Sequence, residues 1–216
     1  MKKIFTSFTV IILFHFGVYS QNSGGVYTGI NMTFPDFESD NFDKAEIGTQ
    51  IGFYDAYKKN NFEISFRASV ILRSSHLYFY NGGLGAGTTY DVDVKSYSFQ
   101  PGLFPAIYFG QNKHFYVNAG IAPNFTIYRH FKGDYISHFL FETEEGKVDR
   151  RDTIYFKDFK LDYLLGFGYN NIKLKNKMAF VELSSSHTFE NEFSENRGYY
   201  IYKPIVFYLV FGLKLF

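Results

Sequence analysis

The amino-acid sequence predicts an all-β protein: an eight-stranded antiparallel up-and-down transmembrane β-barrel that follows a cleaved signal peptide. Three observations predict this fold: an export segment at the N-terminus, eight runs of alternating apolar and polar residues, and an unusual aromatic content. The 216 residues include 28 Phe and 19 Tyr but no Trp. Membrane-spanning barrels place such rings in the lipid-facing band and in the girdles at the two membrane interfaces.

The N-terminal segment has the pattern of a secretory signal. Lys2 and Lys3 precede a mostly apolar stretch from Phe8 to Val18. This stretch is shorter than the roughly 20 residues that a transmembrane helix needs. We therefore predict that residues 1–20 are a cleaved signal peptide and that residues 21–216 form one outer-membrane β-barrel domain. An exported chain without a spanning helix enters a membrane as a closed barrel.

Eight runs of residues alternate with a period of two, which places successive side chains on opposite faces of a strand. In the clearest run, over 62–72, the apolar residues Phe62, Ile64 and Phe66 alternate with Glu63 and Arg67. The other runs lie near 26–32, 47–53, 96–109, 115–128, 159–170, 179–184 and 205–215. We interpret each run as part of a tilted spanning strand, which takes about 9–11 residues.

Alternation alone also fits a soluble sandwich or a lipocalin-like barrel, in which the apolar faces would point inward. Glycines on the polar faces favour the membrane barrel, because the interior of an eight-stranded barrel is narrow and filled by side chains. These glycines are Gly48, Gly52, Gly120, Gly166 and Gly168. Pro101 and Pro105 interrupt one run, and since proline lacks a ladder donor, we predict a bulge or a strand end there.

The connections between the runs alternate in length. Short polar turns are predicted at 58–61, 110–113 and 175–177, and longer segments lie near 35–45, 73–93, 131–156 and 190–199. Outer-membrane barrels have short periplasmic turns and long extracellular loops. The pattern therefore predicts periplasmic termini, four extracellular loops and a location in the outer membrane of a Gram-negative bacterium. The expected partners there are outer-membrane lipids and lipopolysaccharide.

The polar faces predict an interior rich in charged and amide groups. By parity, the interior polar residues are Gln50, Glu63, Arg67, Asn118, Asn124, Lys160, Asp162 and Glu182. Charges in a narrow interior must be paired or hydrogen-bonded. Glu63 and Arg67 share one face of a run, as do Lys160 and Asp162. We interpret this interior as a plug, and the alternative is a narrow selective pore.

One segment contains the residue types of a hydrolase. Ser184, Ser185 and Ser186 precede His187 and Glu190. Some eight-stranded outer-membrane barrels are lipid A hydrolases that use such residues, so a lipid A-modifying enzyme is a second alternative. The His-x-Ser order of those enzymes does not occur here. Neighbouring strand residues also point to opposite faces, which separates Ser186 from His187. We therefore predict no catalytic residues.

Other kinds of site find little support in the sequence. The third long loop combines carboxylates with basic residues, which fits a solvated loop better than a divalent-cation site. Its charged residues are Asp134, Glu142, Glu144, Glu145, Asp149, Asp152, Lys132, Lys147, Arg150 and Arg151. The histidines that follow the signal peptide lack the spacing of metal ligands; they are His76, His114, His130, His138 and His187.

The remaining composition excludes several further classes. The glycines near 82–87 lie in a predicted hairpin loop and do not form a phosphate-binding loop between a strand and a helix. Cysteine is absent and the formal net charge is +1, so neither a thiolate metal site nor a nucleic-acid partner is predicted. We predict no metal and no cofactor.

Two stretches resemble known outer-membrane sequences. The last run, IVFYLVFGLKLF, resembles the C-terminal signal that the barrel assembly machinery reads, with Phe216 as its final residue. The stretch 98–128, which contains FYVNAG, and LDYLLGFGYN at 161–170 resemble the PorT-like outer-membrane β-barrel family. That resemblance implies a barrel and a possible secretion-system partner. We expect a non-enzymatic barrel whose long loops contact a secretion-system or surface partner.

Overall fold

The computed structural model describes residues 22–34, 45–83, 86–139, 142–151, 157–189 and 203–215. These residues form nine strands: β1 Asn22–Phe34, β2 Glu46–Lys59, β3 Phe62–Gly83, β4 Ala86–Phe109, β5 Phe115–Phe139, β6 Glu142–Arg151, β7 Phe159–Leu174, β8 Lys177–Thr188 and β9 Ile205–Lys214. No helix in the described ranges is long and apolar enough to span a membrane. The predicted signal peptide and Phe216 lie outside the described residues.

Eight of the strands close into an antiparallel barrel. Each strand from β1 to β4 pairs with the next one in the chain. β5 pairs with β7, β7 with β8 and β8 with β9, and β9 closes the barrel against β1. The predicted eight-stranded barrel is therefore confirmed. The three short turns are confirmed as well, because β2–β3, β4–β5 and β7–β8 are joined at Asn60, Gly110 and Lys175, each with a positive φ.

Two of the four segments predicted to be long loops, 73–93 and 131–156, form strands over most of their described residues. β3, β4 and β5 contain 22, 24 and 25 residues, about twice the length needed to span. Their distal parts pair with one another, and β6 pairs with β5 from His130 to Phe139. We call this four-stranded sheet, formed by residues 73–83, 86–96, 128–139 and 142–151, the extension. The remaining eight-stranded part is the spanning barrel.

A bulge lies where the spanning barrel meets the extension. The β4–β5 register shifts between Tyr97 and Ser98, so that Tyr97 opposes Tyr128 while Ser98 opposes Thr126. Ile127 is the extra residue, and it turns Tyr128 outward against Tyr97, with ring centroids 5.9 Å apart. The alternation of the run 115–128 predicts that Tyr128 points inward with Asn118 and Asn124. This prediction is wrong, because a bulge reverses the parity of every later residue.

The prolines form neither the bulge nor the strand end that the sequence predicts. β4 runs through Pro101 and Pro105, and both residues keep their partners on β3. On the other side of β4, Pro101 and Pro105 have no register partner on β5. Proline is therefore accommodated by loosening one side of the ladder, and the strand itself continues.

Candidate functional site

The exterior of the spanning barrel is apolar. Large hydrophobic side chains point outward and stay exposed, for example Ile47 at 64%, Leu103 at 58% and Leu165 at 57% of their surface. Carboxylates and amides of the same strands, such as Asp162 and Asn118, are buried inside. This distribution is that of a barrel surrounded by lipid, and it excludes the soluble alternative, in which the apolar faces would be enclosed.

Every polar residue that parity placed in the interior is found there. Arg67 retains a side-chain exposure of only 12%, and the other seven residues are buried. The interior also contains Arg73 and Tyr208, which the sequence analysis did not single out. Arg73 lies beyond the run that ended at Leu72, and Tyr208 was hidden in a strand whose residues are nearly all apolar.

One interior cluster centres on Glu182. Its carboxylate accepts two hydrogen bonds from Arg67, at 2.7 and 2.8 Å, which is the bidentate geometry of a strong ion pair. Tyr116 Oη and Asn118 Nδ2 donate to the same carboxylate at 2.8 and 2.7 Å. Arg67 therefore pairs across the barrel with Glu182 and not with Glu63, its neighbour on β3.

A second interior cluster centres on Asp162. Gln100 and Asn124 donate to Asp162 Oδ2 at 2.8 and 3.0 Å, and Arg73 approaches the same oxygen at 3.5 Å. Arg73 also donates to Tyr208 Oη at 2.9 Å. Asp162 thus accepts hydrogen bonds from side chains of three other strands, β3, β4 and β5.

Little free volume remains between these clusters. Glu63 accepts a hydrogen bond of 2.8 Å from Tyr108, whose oxygen in turn accepts one of 3.2 Å from Asn170. The three cavities lined by interior residues hold about 20 Å³ each, room for roughly one water molecule. The glycines contribute to this filling: a Cβ at Gly168 would meet the Tyr116 ring, and one at Gly120 would meet Phe104. The interior is packed as a plug.

The serine–histidine segment does not bring Ser186 and His187 together. Ser186 points inward, where its Oγ lies 3.1 Å from Tyr208 Oη. His187 points outward and packs edge-on against Tyr163, and its Nδ1 has no hydrogen-bond partner. The two residues are on opposite faces of β8, as predicted. Glu190 lies outside the described residues.

An apolar groove opens on the lipid-facing side where the β4–β5 ladder is loosened. It encloses about 920 Å³, and its wall is formed by three prolines, small residues and a few large apolar side chains. Phe104, Ala122 and Leu164 form a buried apolar cluster on the inner side of the same strands. The groove follows from the prolines, because rings without a backbone donor leave room between neighbouring strands.

The extension has an apolar core of its own. Leu77, Val92, Val94, Phe131 and Val148 are all buried and in contact with one another. Its outward face combines charged residues with exposed tyrosines such as Tyr78 and Tyr80. The described acidic residues of the third predicted loop lie on β5 and β6 without gathering into a three-ligand cluster. One of them, Glu144, accepts a hydrogen bond of 3.2 Å from Tyr135, which raises the pKa of that phenol.

Three strands bring a histidine and carboxylates together at the rim between the spanning barrel and the extension. His76 Nδ1 lies 2.8 Å from Asp93 Oδ1, and His76 Nε2 lies 2.9 Å from Asp91 Oδ1. Glu46 offers a third carboxylate, within 4.8 Å of the His76 and Asp93 ligand atoms. Burial raises the pKa of Glu46, and the charge of Asp93 raises it further. We call Glu46, His76, Asp91 and Asp93 the rim cluster.

The rim cluster escaped the sequence analysis because its members are far apart in the chain. Within the sequence, His76 has no metal-ligand spacing to any other residue. The only available signal was register: in a hairpin with its turn near 84–85, His76 comes to lie directly opposite Asp93. The sequence predicts a loop over 73–93, and a loop has no register that would pair His76 with Asp93.

No family model matches the chain, and no curated protein sequence matches it. The resemblance to the PorT-like family therefore stays a prediction. Several solved barrels are similar in structure. Ail of Yersinia pestis, solved with the heparin analogue sucrose octasulfate, is 11% identical with a TM-score of 0.46, and the match covers 90% of this chain and 99% of Ail.

Two further structures are similar over comparable lengths. Neisserial surface protein A is 9% identical with a TM-score of 0.45, over 91% of this chain and 98% of that protein. OprG of Pseudomonas aeruginosa is 17% identical with a TM-score of 0.36, over 89% and 91%. Nothing about binding or activity is carried over from them. The closed barrel, its apolar exterior and its polar interior make this chain an outer-membrane β-barrel protein.

Proposed function

We propose that the protein is a non-enzymatic, non-conducting barrel that holds the extension outside the cell, where it contacts a surface or secretion-system partner. The observation that carries this proposal is the length of β3, β4 and β5. Each strand continues well past the residues that lipid covers, and the added residues form a sheet with a buried apolar core. A folded sheet offers a preformed contact surface, which a disordered loop would have to order on binding.

The filled interior supports closure to ions. Glu182 accepts hydrogen bonds from side chains of β3 and β5, and Asp162 accepts them from side chains of β4 and β5. The cavity lined by Glu182, Arg67 and Gln100 holds about 20 Å³, room for roughly one water molecule. We expect no stepwise conductance in planar bilayers. Regular channel openings from the purified wild-type protein would contradict closure and favour the narrow pore.

The separation of Ser186 from His187 supports the absence of hydrolase activity. Cells that express the protein should have lipid A of unchanged mass. A loss of acyl chains that His187→Ala abolishes would establish the enzyme in place of this proposal.

The orientation can be tested by single cysteines, because the chain has none of its own. Lys147, which lies in β6 of the extension, would be replaced by Cys, and the matched control would carry Cys at Asn60 in a short turn. A membrane-impermeant maleimide should label K147C on intact cells and N60C only after the outer membrane is permeabilised. The reverse labelling would place the extension in the periplasm and refute the proposal.

The same variant tests for a partner. A cleavable cross-linker attached at K147C should capture a macromolecule at the cell surface, and one attached at N60C should not capture the same species. A capture that is equal at both positions, or that is absent at both, would count against a contact role for the extension.

A further inference from the structure

The rim cluster lies just beyond the apolar band, where the outer surface changes from apolar to charged. On β3 the outward positions change from Val70 to His76, and on β4 from Tyr97 to Asp93. Glu46 reaches the same place from the first residue of β2. The ligand atoms therefore come from three strands. The β3–β4 ladder places His76 opposite Asp93, and Glu46 is held by its pairing with Thr33 on β1.

A neutral His76 ring has too few N–H groups for the carboxylate oxygens that face it. A neutral imidazole has one N–H group and one nitrogen lone pair. Both ring nitrogens face carboxylate oxygens, at 2.8 and 2.9 Å. One N–H can satisfy only one of them, so the other contact places a lone pair against an anion. An added proton or a metal cation between the two atoms removes this repulsion.

The geometry fits a metal ion at the Nδ1 side. With metal–ligand bonds of roughly 2.0–2.2 Å, two ligand atoms on one ion lie about 3 Å apart, close to the separation of His76 Nδ1 and Asp93 Oδ1. Glu46 completes a set of one nitrogen and two oxygen ligands within 4.8 Å of one another. Small side-chain movements bring all three atoms onto one ion, because Asp93 and Glu46 are both partly exposed.

Asp91 then takes a supporting role. Histidines that bind a metal through one nitrogen usually donate the other N–H to a carboxylate, which fixes the ring orientation and its tautomer. The contact of His76 Nε2 with Asp91 Oδ1 has this arrangement. A solvated acidic patch does not require a ring held from both sides.

A second His–Asp pair in the chain provides a comparison. His130 Nε2 lies 2.8 Å from Asp149 Oδ1, and the exposures of both side chains are similar to those of the rim cluster. This pair has no third ligand, since the one group of three candidate ligands among the described residues is Glu46, His76 and Asp93. His130 and His76 thus differ in the number of ligands around them, while the exposed fractions of their side chains are alike.

We propose that Glu46, His76 and Asp93 bind one divalent first-row transition-metal ion at the outer rim of the barrel, with Asp91 orienting the imidazole. Imidazole nitrogen disfavours calcium and magnesium, which prefer oxygen ligands, and favours ions such as zinc. Three protein ligands leave a coordination position open toward the outer surface. The inference is independent of the proposed function, because it requires only the folded barrel.

The test measures zinc binding to the refolded mature chain in detergent micelles after removal of metals with a chelator. Isothermal titration with Zn²⁺ should give one site per chain, and excess Ca²⁺ should not displace it. Absence of a stoichiometric site, or equal competition by Ca²⁺, would refute the proposal.

Substitutions distinguish the residues that bind zinc from residues nearby that do not. His76→Asn and Glu46→Gln should each weaken zinc binding about tenfold or more, and Asp91→Asn should weaken it by a factor of about 10–100 while one site remains. The matched control, His130→Asn, should bind as the wild type does. Equal losses in H76N and H130N would show unspecific surface binding and overturn the assignment.

Folding is controlled in every variant by the shift in apparent mass between unboiled and boiled samples. If H76N does not fold, E46Q decides the question, because Glu46 lies at the end of a strand. Co²⁺ provides a direct readout, since its visible absorption should report a nitrogen ligand in the wild type and in H130N but not in H76N.

Discussion

The spanning barrel and the extension share strands but bury opposite kinds of side chain. The spanning barrel encloses polar groups, and the extension encloses apolar ones. On β4, the inward residues change from Gln100 in the spanning barrel to Val94 in the extension, while the outward residues change from Leu103 to Asp93. The surroundings account for this exchange. Lipid favours an apolar outer face and leaves the polar groups to pair inside, whereas water favours a charged outer face and leaves the apolar groups to pack together.

The exchange coincides with the bulge at Ile127. Without the extra residue, β5 would continue to point its even-numbered residues inward past Thr126, and Phe131 would face out. The bulge brings Phe131 into the core of the extension and turns His130 outward toward Asp149. A single inserted residue thus lets one strand satisfy two different surroundings.

The largest expected effect comes from breaking an ion pair in the spanning barrel. Arg67→Ala leaves Glu182 charged and buried without its partner, which we expect to cost about 3–5 kcal/mol in the free energy of unfolding. Urea unfolding in micelles, followed by gel mobility, measures it. The double variant Arg67→Met with Glu182→Leu should lose less than Arg67→Ala alone. An equal or larger loss in the double variant would show that packing volume matters more than charge.

A cavity in the core of the extension should act locally. Leu77→Ala removes a fully buried side chain and should cost about 2–5 kcal/mol, limited by the stability of the extension itself. Hydrogen exchange should become faster over 86–96 and 128–139 and stay unchanged in the spanning barrel. Tyr78→Ala, at the neighbouring outward position, is the control and should change little. Faster exchange throughout the barrel would mean that the two regions unfold as one unit.

An added charge on the outer face should destabilise the protein more where that face meets lipid than where it meets water. Leu103→Arg places a cation near the middle of the lipid-facing band, with an expected cost of about 2–4 kcal/mol. Tyr80→Arg places the same group on the outward face of the extension and should change stability by less than about 0.5 kcal/mol. Unfolding in lipid vesicles compares the two. Similar losses of stability in both variants would argue against a lipid boundary between the spanning barrel and the extension.

The smallest effect concerns one phenol of the extension. Tyr135 donates to Glu144, and this hydrogen bond raises the pKa of the phenol above its ordinary value of 10.0. In Glu144→Gln the negative acceptor is lost, so the pKa should fall back toward that value. NMR titration of ring-labelled tyrosine follows the change. An unchanged pKa would mean that the hydrogen bond does not persist in solution.

The sequence predicted the spanning barrel well and the extension poorly. In the spanning barrel, apolar residues that alternate with carboxylates and amides leave only one arrangement in a membrane, and Glu63, Asp162 and Glu182 were all assigned to the interior correctly. In the extension, many outward residues are charged and the segment near 82–87 is rich in glycine, so the segments 73–93 and 131–156 look like solvated loops. Their strands are recognised only when Leu77, Val92 and Phe131 are seen to meet in one core.

By itself, the sequence determined the number of strands in the barrel and which face of each strand meets lipid, because both follow from a local period of two. The tertiary structure alone decided which partners the charged groups take. Arg67 pairs with Glu182 across 115 positions of chain, and Glu46, His76 and Asp93 meet at the rim. Such pairs depend on strand order, register and one bulge, which are set by closure of the whole barrel and not by the residues that lie next to one another in the chain.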